Sequence, residues 1–343
     1  MYGRLPRPRS VQLMKKKILM IATGGTIASK EGAQGLAPSA SSRELLSCVP
    51  EVEEACDVTA VQLFNLDSTN IYAPHWLKIA RTIEENYGIY DGFVVTHGTD
   101  TMAYTAAALS YLMQNISKPV VLTGSQRSVY SRDTDARGNL ADAFLFCADE
   151  NARGVRIVFN GNVILGTRAK KTRTRSFNAF SSIDFPAVAV MRDGKPFYYI
   201  DMPVPSGGPK FYHSLNENVF VLKMIPGLRA DIFDYLDNRC DGLVIESFGS
   251  GGLPNYENDA FFTRLSGFLK KGGTAVMATQ AEHEGSALDK YAVGRRLRSC
   301  GRVLEARCMT LEAAVTKLKW LLSFAKGEDA ERLFYTPVER DIY

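Results

Sequence analysis

Ile18-Leu19-Met20-Ile21-Ala22-Thr23-Gly24-Gly25-Thr26-Ile27 runs from an unbroken apolar stretch into a glycine pair flanked by threonines. The apolar part has the length of a strand buried on both faces, and the glycines end it in a loop whose backbone N–H groups can approach a ligand. The pattern recurs: Phe93-Val94-Val95 leads into Thr96-His97-Gly98-Thr99-Asp100-Thr101, and Val120-Val121-Leu122 into Thr123-Gly124-Ser125-Gln126. Loops that follow parallel strands lie along one sheet edge, where α/β proteins keep their chemistry. Each string alone reads first as a helix cap or a turn. Together they place hydroxyls around one crevice and point to an enzyme.

Outward from these strings, apolar runs alternate with stretches of helical spacing, which predicts βαβ units and a largely parallel sheet. Strands are expected at Ile18–Ala22, Val61–Leu66, Gly92–Thr96, Val120–Thr123 and Arg156–Phe159, with helices at Trp76–Tyr87, Met102–Gln114 and Leu140–Ala148. Between about Ile200 and Asn218 the residues Pro203, Pro205, Gly207, Gly208 and Pro209 break regular structure and mark a linker. A second alternation follows, with strands at Val219–Met224, Gly242–Ile245 and Thr274–Ala278 and helices at Phe261–Leu269 and Ala313–Phe324. The expected fold is α/β with two domains: a larger N-terminal doubly wound, mostly parallel sheet (14–200) and a smaller C-terminal flavodoxin-like α/β domain (219–343), joined by a linker (201–218). Residues 1–13 read as a basic, disordered extension, and Met14 is as plausible a start as Met1.

Composition narrows the function. The 343 residues are 45% hydrophobic and 23% charged, a globular balance. Six of the 41 basic residues precede the first strand, leaving 35 against 37 acidic ones in the body. The small positive excess thus belongs to a tail and gives no nucleic-acid groove. No apolar run has the length of a secretory signal or a membrane span, so neither membrane nor export is expected. The scattered cysteines Cys48, Cys56, Cys147, Cys240, Cys300 and Cys308 lack CxxC spacing and read as reduced thiols in a cytoplasmic protein. His75, His97, His213 and His283 stand far apart, so no metal and no cofactor are expected.

A threonine hydroxyl is a weak nucleophile; it needs a neighbouring base and donors for the oxyanion. His97 is either that base or a packed structural residue. A lysine is the other choice, and Arg168-Ala169-Lys170-Lys171-Thr172-Arg173 supplies two in positive company; its plainer reading is a solvated basic loop. Asp100 would hold such a lysine, bind a substrate ammonium, or favour a helix N-terminus. Asn65-Leu66-Asp67-Ser68-Thr69-Asn70 suits a substrate carboxylate and equally an Asx or ST turn.

Ile21–Ser29 (IATGGTIAS) and Val94–Met102 (VVTHGTDTM) resemble the two signatures of the bacterial-type L-asparaginases, the asparaginase/glutaminase family. The likeness extends to Leu122–Arg127 (LTGSQR) and Gly138–Ala143 (GNLADA), covers nearly all of the chain from Met14, and is closest to the cytoplasmic type I branch. It implies an enzyme that hydrolyses the side-chain amide of L-asparagine to L-aspartate and ammonia through a threonine acyl-enzyme. Thr26 would be the nucleophile, activated by Thr99, Asp100 and a lysine matching Lys171 rather than Lys170. Asp67, Ser68 and Thr69, with Gly25, Gly98, Thr99 and Asp100, would bind the substrate. The family also implies a homo-oligomer, a dimer or a dimer of dimers, with a neighbouring C-terminal domain closing the site.

The sequence departs from the family pattern in three places. Leu36, in Gln34-Gly35-Leu36-Ala37-Pro38, stands where many relatives carry a lid tyrosine, and Tyr72 is a candidate replacement. The Glu31–Ser42 stretch has the composition of a mobile lid. Glu246 and Ala281 occupy the positions of an effector-site arginine and cysteine, so no allosteric asparagine site is expected. The basic extension before Met14 has no family counterpart. Competing readings are a glutaminase or broad asparagine/glutamine amidohydrolase, including the ammonia-producing subunit of a transfer-RNA amidotransferase, and a catalytically weak amino-acid-binding protein. The amidotransferase subunit has an extra N-terminal domain for which thirteen residues do not suffice.

Overall fold

The computed structural model describes residues 15–32, 35–38, 40–290, 292–298 and 303–343, so the basic stretch 1–13 and Met14 lie outside the described residues. The N-terminal half carries strands β1 (Lys16–Gly24), β2 (Cys56–Leu66), β3 (Gly92–Thr96), β4 (Pro119–Thr123), β5 (Gly154–Phe159), β6 (Asn162–Leu165), β7 (Ala169–Lys171), β8 (Phe180–Ser182), β9 (Ala189–Arg192) and β10 (Lys195–Tyr198). Its long helices are α1 (Ala73–Asn86), α2 (Met102–Leu112) and α3 (Ala136–Ala148). The C-terminal half carries β11 (Val219–Lys223), β12 (Gly242–Ser247), β13 (Thr274–Thr279) and β14 (Val303–Glu305), with α4 (Tyr256–Lys270) and α5 (Leu311–Leu321).

Eight strands form the main sheet in the order β10-β9-β6-β5-β4-β3-β1-β2. The five from β2 to β5 are parallel, and β6, β9 and β10 extend them antiparallel. From β1 the chain turns to one side for β2 and returns to the other side for β3. The strand order therefore reverses between β1 and β3, where an open α/β sheet forms its ligand crevice. Register sets the ends level, with Ala22 opposite Thr96 and Thr96 opposite Thr123.

Alternate residues of each parallel strand enter opposite cores. Leu19, Ile21, Phe93 and Val95 pack under α1 and α2, while Ile18, Met20, Val94 and Val121 pack under α3. Each such fully buried side chain contributes about 1.5–3 kcal/mol of apolar burial. The smaller sheet is parallel in the order β11-β12-β13-β14. One face packs on α4 through Phe261 and Leu265; the other packs on α5 and also on Ala107 and Tyr111 of α2, so the two halves share a core.

Two features differ from the sequence reading. The proline-rich linker is not wholly irregular: Lys210 and Phe211 pair with Gln114 and Met113, which ends the expected Met102–Gln114 helix at Leu112. Second, Arg168–Arg173 is not a solvated loop. It contains β7, paired antiparallel with β8, and Arg168 is fully buried. Among the described residues Cys48, Cys56, Cys147, Cys240 and Cys308 are free thiols, no cluster of metal ligands occurs, and no helix is long and apolar enough to cross a membrane.

Candidate active site

Three loops meet at the reversal between β1 and β3. Gly25, in the left-handed region at φ +83°, leaves no room for a side chain: an added Cβ would fall under 3.0 Å from Gly98 Cα and N. A Cβ on Gly98 would in turn lie 2.6 Å from Ser68 Oγ. The loops holding Thr26 and Thr99 thus meet backbone to backbone, and the Ser68 side chain packs on Gly98, which only glycine at both junctions permits. Gly25 N–H donates to Leu66 O (2.9 Å), and Thr101 Oγ1 donates to Ser68 O (2.6 Å). Thr26 opens a short 3-10 turn, Thr26–Ala28, and is half-buried.

At the end of β3, Thr99 is buried and Asp100 exposed. Lys171 reaches them from β7: its Nζ donates to Thr99 Oγ1 at 2.8 Å and to Asp100 Oδ1 at 2.5 Å. Lys170, on the opposite side of the same strand, pairs with Glu282 at 3.2 Å. A strand alternates its side chains, so one of two adjacent lysines faces the site and the other faces the C-terminal half. That alternation brings Lys171 to Thr99.

Gln126, in the third string, has no role legible from sequence alone. Thr99 Oγ1 donates to Gln126 Oε1 (3.2 Å), and Gln126 Nε2 donates to Ser176 O (3.1 Å). Gln126 therefore fixes the direction in which the Thr99 hydroxyl points. Asp135 accepts from Gln126 N–H and Arg127 N–H at 2.9 and 3.0 Å. Asn139 donates to Gly124 O (2.9 Å) and accepts from Asn160 N–H (2.8 Å). The Gly138–Ala143 segment thus holds the strand-end loop in place.

The remaining hydroxyls do not converge as expected. Thr23 Oγ1 donates to Thr96 O at 2.8 Å, Thr123 Oγ1 to Val158 O at 2.8 Å, and Ser125 Oγ to Arg127 O. These side chains tie strand ends together. Asp67 Oδ1 accepts from Thr69 N–H (2.9 Å) and Thr69 Oγ1 (2.8 Å), an Asx turn that caps Ser68–Asn70. The turn holds Ser68 against Gly98. In the C-terminal half, Thr279 Oγ1 donates to Gly249 O (2.6 Å) and Gln280 Nε2 to Glu246 O (2.9 Å), so those polar groups secure turns.

His97 is structural. Its Nδ1 lies 2.7 Å from Gly98 O and its Nε2 2.9 Å from Thr105 Oγ1, which also accepts from Trp76 Nε1–H at 3.0 Å. A carbonyl only accepts, so Nδ1 carries the proton and Nε2 accepts from Thr105. Complete burial lowers the ring's pKa from 6.5 to about 4, against a smaller opposing effect of the Gly98 carbonyl. The neutral ring braces Gly98 from below.

Of the expected lid, Ala33, Gln34 and Ser39 lie outside the described residues; Ser29–Gly32 and Gly35–Pro38 pair antiparallel with Leu36 opposite Glu31. Tyr72 stands at the start of α1, its ring edge-on to His75 at 5.0 Å.

The family profile described as Asparaginase, N-terminal, matches residues 17–203, and that of the Glutaminase/Asparaginase C-terminal domain matches residues 218–334. The chain belongs to the asparaginase family. As an asparaginase-family protein it is a hydrolase of amide bonds. It is 36% identical over 311 residues to the L-asparaginase of Thermococcus kodakarensis, spanning 90% of this chain and 94% of that one. It is 34% identical over 323 residues to L-asparaginase 1 of Escherichia coli, spanning 91% and 93%. Among solved structures, the thermostable L-asparaginase from Thermococcus kodakarensis superposes with a TM-score of 0.88 at 34% identity, covering 95% of this chain and 99% of that one. A probable cytoplasmic L-asparaginase from Campylobacter jejuni gives 0.82 at 25% identity, covering 94% and 100%. The two-domain α/β architecture of this asparaginase-family chain is that of these structures.

Proposed function

We propose that this protein is an L-asparagine amidohydrolase that acts through a Thr26 acyl-enzyme. The observation that carries the reading is Lys171 Nζ lying within hydrogen-bond distance of both Thr99 Oγ1 and Asp100, at the junction where the Thr26 loop meets Gly98. Thr26 Oγ1 attacks the side-chain amide carbon, and its proton passes through the Thr99 hydroxyl to the Lys171 amine. Collapse of the tetrahedral adduct breaks the C–N bond; the nitrogen takes the proton back and leaves as ammonia. Water then adds to the threonine ester by the same proton route, releasing L-aspartate and restoring Thr26.

Asp100 holds Lys171 and, with its exposed carboxylate, receives the substrate α-ammonium. The Asp67–Thr69 turn, with Gly25 and Gly98, faces the α-carboxylate. The reaction needs no cofactor. The reading carries with it a cytoplasmic homo-oligomer, a dimer or a dimer of dimers.

Ammonia release from asparagine and from glutamine by the purified protein, beside Thr26→Ala and Thr99→Ala, tests this. Both variants are expected to lose about 10³-fold or more in kcat. Asparagine hydrolysis at the parent rate in either would sink the mechanism, and a parent that hydrolyses only glutamine would reassign the substrate.

A further inference from the structure

The strand that delivers Lys171 is short, and its N-terminal side is held by residues far away in sequence. Thr167 Oγ1 donates to Glu339 O at 2.8 Å. Arg168 Nε donates to Arg340 O at 2.7 Å, and its Nη1 to Cys308 O at 2.7 Å. Arg168 is 0% exposed. A buried guanidinium survives only where acceptors meet its N–H groups, so these carbonyls fix the side chain and with it the backbone entering β7. The Arg168 carbonyl in turn accepts from Ile183 N–H at 2.9 Å, which sets the register of β7 on β8.

The segment supplying the Glu339 and Arg340 carbonyls is itself locked to both halves of the molecule. Asp341 Oδ2 meets Lys317 Nζ of α5 at 2.7 Å and Tyr111 OH of α2 at 2.8 Å, while its Oδ1 accepts from Val338 N–H at 2.8 Å. Lys317 and Asp341 are both fully buried. The Glu339 carboxylate pairs with the buried Arg156 of β5 at 2.8 Å. All of these residues lie beyond position 334, where the match to the C-terminal family profile stops, or reach across to meet what lies there.

We propose that Val338–Tyr343 is a clasp that positions Lys171 against Thr99, with Arg168 as the positioning residue that transmits it. Arg168 touches neither substrate nor reacting atoms; it acts through β7. The inference rests on the reading of Lys171 as the proton acceptor. A displacement of about 1 Å in a reacting group costs on the order of 100-fold in rate, and Lys171 has two partners to satisfy at once. Loosening the clasp should therefore lower kcat and leave substrate binding, which belongs to other loops, in place.

The test compares Arg168→Lys with the parent for ammonia release from asparagine, and repeats the comparison in a Lys171→Met background over long incubations. Arg168→Lys keeps the charge and loses the fork that spans two carbonyls. The expected result is a 10- to 100-fold fall in kcat with KM within about two-fold, and no further fall when Lys171 is already Met. An unchanged kcat, or an equal fall in the Lys171→Met background, would overturn the clasp. If Arg168→Lys does not fold, Thr167→Val, which removes one hydroxyl donor at nearly constant volume, carries the same comparison, with an expected loss of several-fold and the same two overturning results. A parent enzyme that releases no ammonia refutes the functional reading and the clasp with it, whereas an active parent with an indifferent Arg168→Lys refutes the clasp alone.

Discussion

Gly25 and Gly98 touch through their backbones: a Cβ on Gly25 would fall under 3.0 Å from Gly98 Cα. Each immediately precedes a threonine proposed to take part in the chemistry. The contact sets the distance between the end of β1 and the end of β3, and so between Thr26 and Thr99. Gly25→Ala meets both a left-handed φ of +83° and this clash. It is expected to destabilise by about 1–3 kcal/mol and to cost asparagine hydrolysis about 100-fold. Urea unfolding and kcat/KM check the two effects separately, and a variant with parental kcat/KM would contradict the role given to the contact.

Lys170 and Lys171 are neighbours with different partners, Glu282 for the first and Thr99 with Asp100 for the second. Lys171→Met is expected to lower kcat by about 10³-fold or more. Lys170→Met removes a partly exposed ion pair worth at most about 1 kcal/mol and leaves kcat within a few-fold. Equal losses in the two variants would remove the distinction that strand alternation supplies.

Gln126 directs the Thr99 hydroxyl through a 3.2 Å hydrogen bond. In Gln126→Leu the Thr99 hydroxyl loses this acceptor and its direction is no longer fixed. An approximately 10-fold fall in kcat, with KM little changed, is the expected outcome in steady-state assays. Parental kcat would show that the hydroxyl direction is set elsewhere.

His97 makes stability depend on pH. Its pKa is about 4 in the native protein and 6.5 when exposed. The unfolded chain therefore binds more protons between these values, so stability from this residue is complete above pH 6.5 and is lost as pH falls towards 4. The amount is about 3 kcal/mol. Urea melts across that window in the parent and in His97→Gln check it: the variant, whatever its absolute stability, should show a shallower fall.

Lys317 and Asp341 form an ion pair with no exposure on either side, 2.7 Å apart. Burial pulls the Lys317 pKa down while Asp341 opposes that shift. Lys317→Met leaves Asp341 buried with its charge unmatched, and a loss of about 3–5 kcal/mol is expected in denaturant unfolding. A change below 1 kcal/mol would mean that Tyr111 OH and Val338 N–H alone satisfy the carboxylate.

The sequence by itself determined the alternation of buried strands and helices, the two halves, and the strand-end strings that carry Thr26, Thr99 and Asp100, because these follow from local apolar runs and glycine chemistry. It also carried the family likeness. It did not reveal β6, β9 and β10 or the Lys210–Phe211 pairing, since short antiparallel additions draw their stability from partners distant in the chain. Tertiary structure decided which hydroxyls are tied up: Thr23, Thr123 and Ser125 look like Thr26 in sequence, yet their protons go to backbone carbonyls. It also decided which of the two neighbouring lysines meets Thr99. Composition presents Arg168–Arg173 as a solvated basic loop, and only the pairing of β7 with β8, anchored by a buried Arg168, turns one lysine to Thr99 and its neighbour to Glu282. A side chain's chemistry is local, whereas its direction is fixed by partners that the fold brings from as far as Arg340.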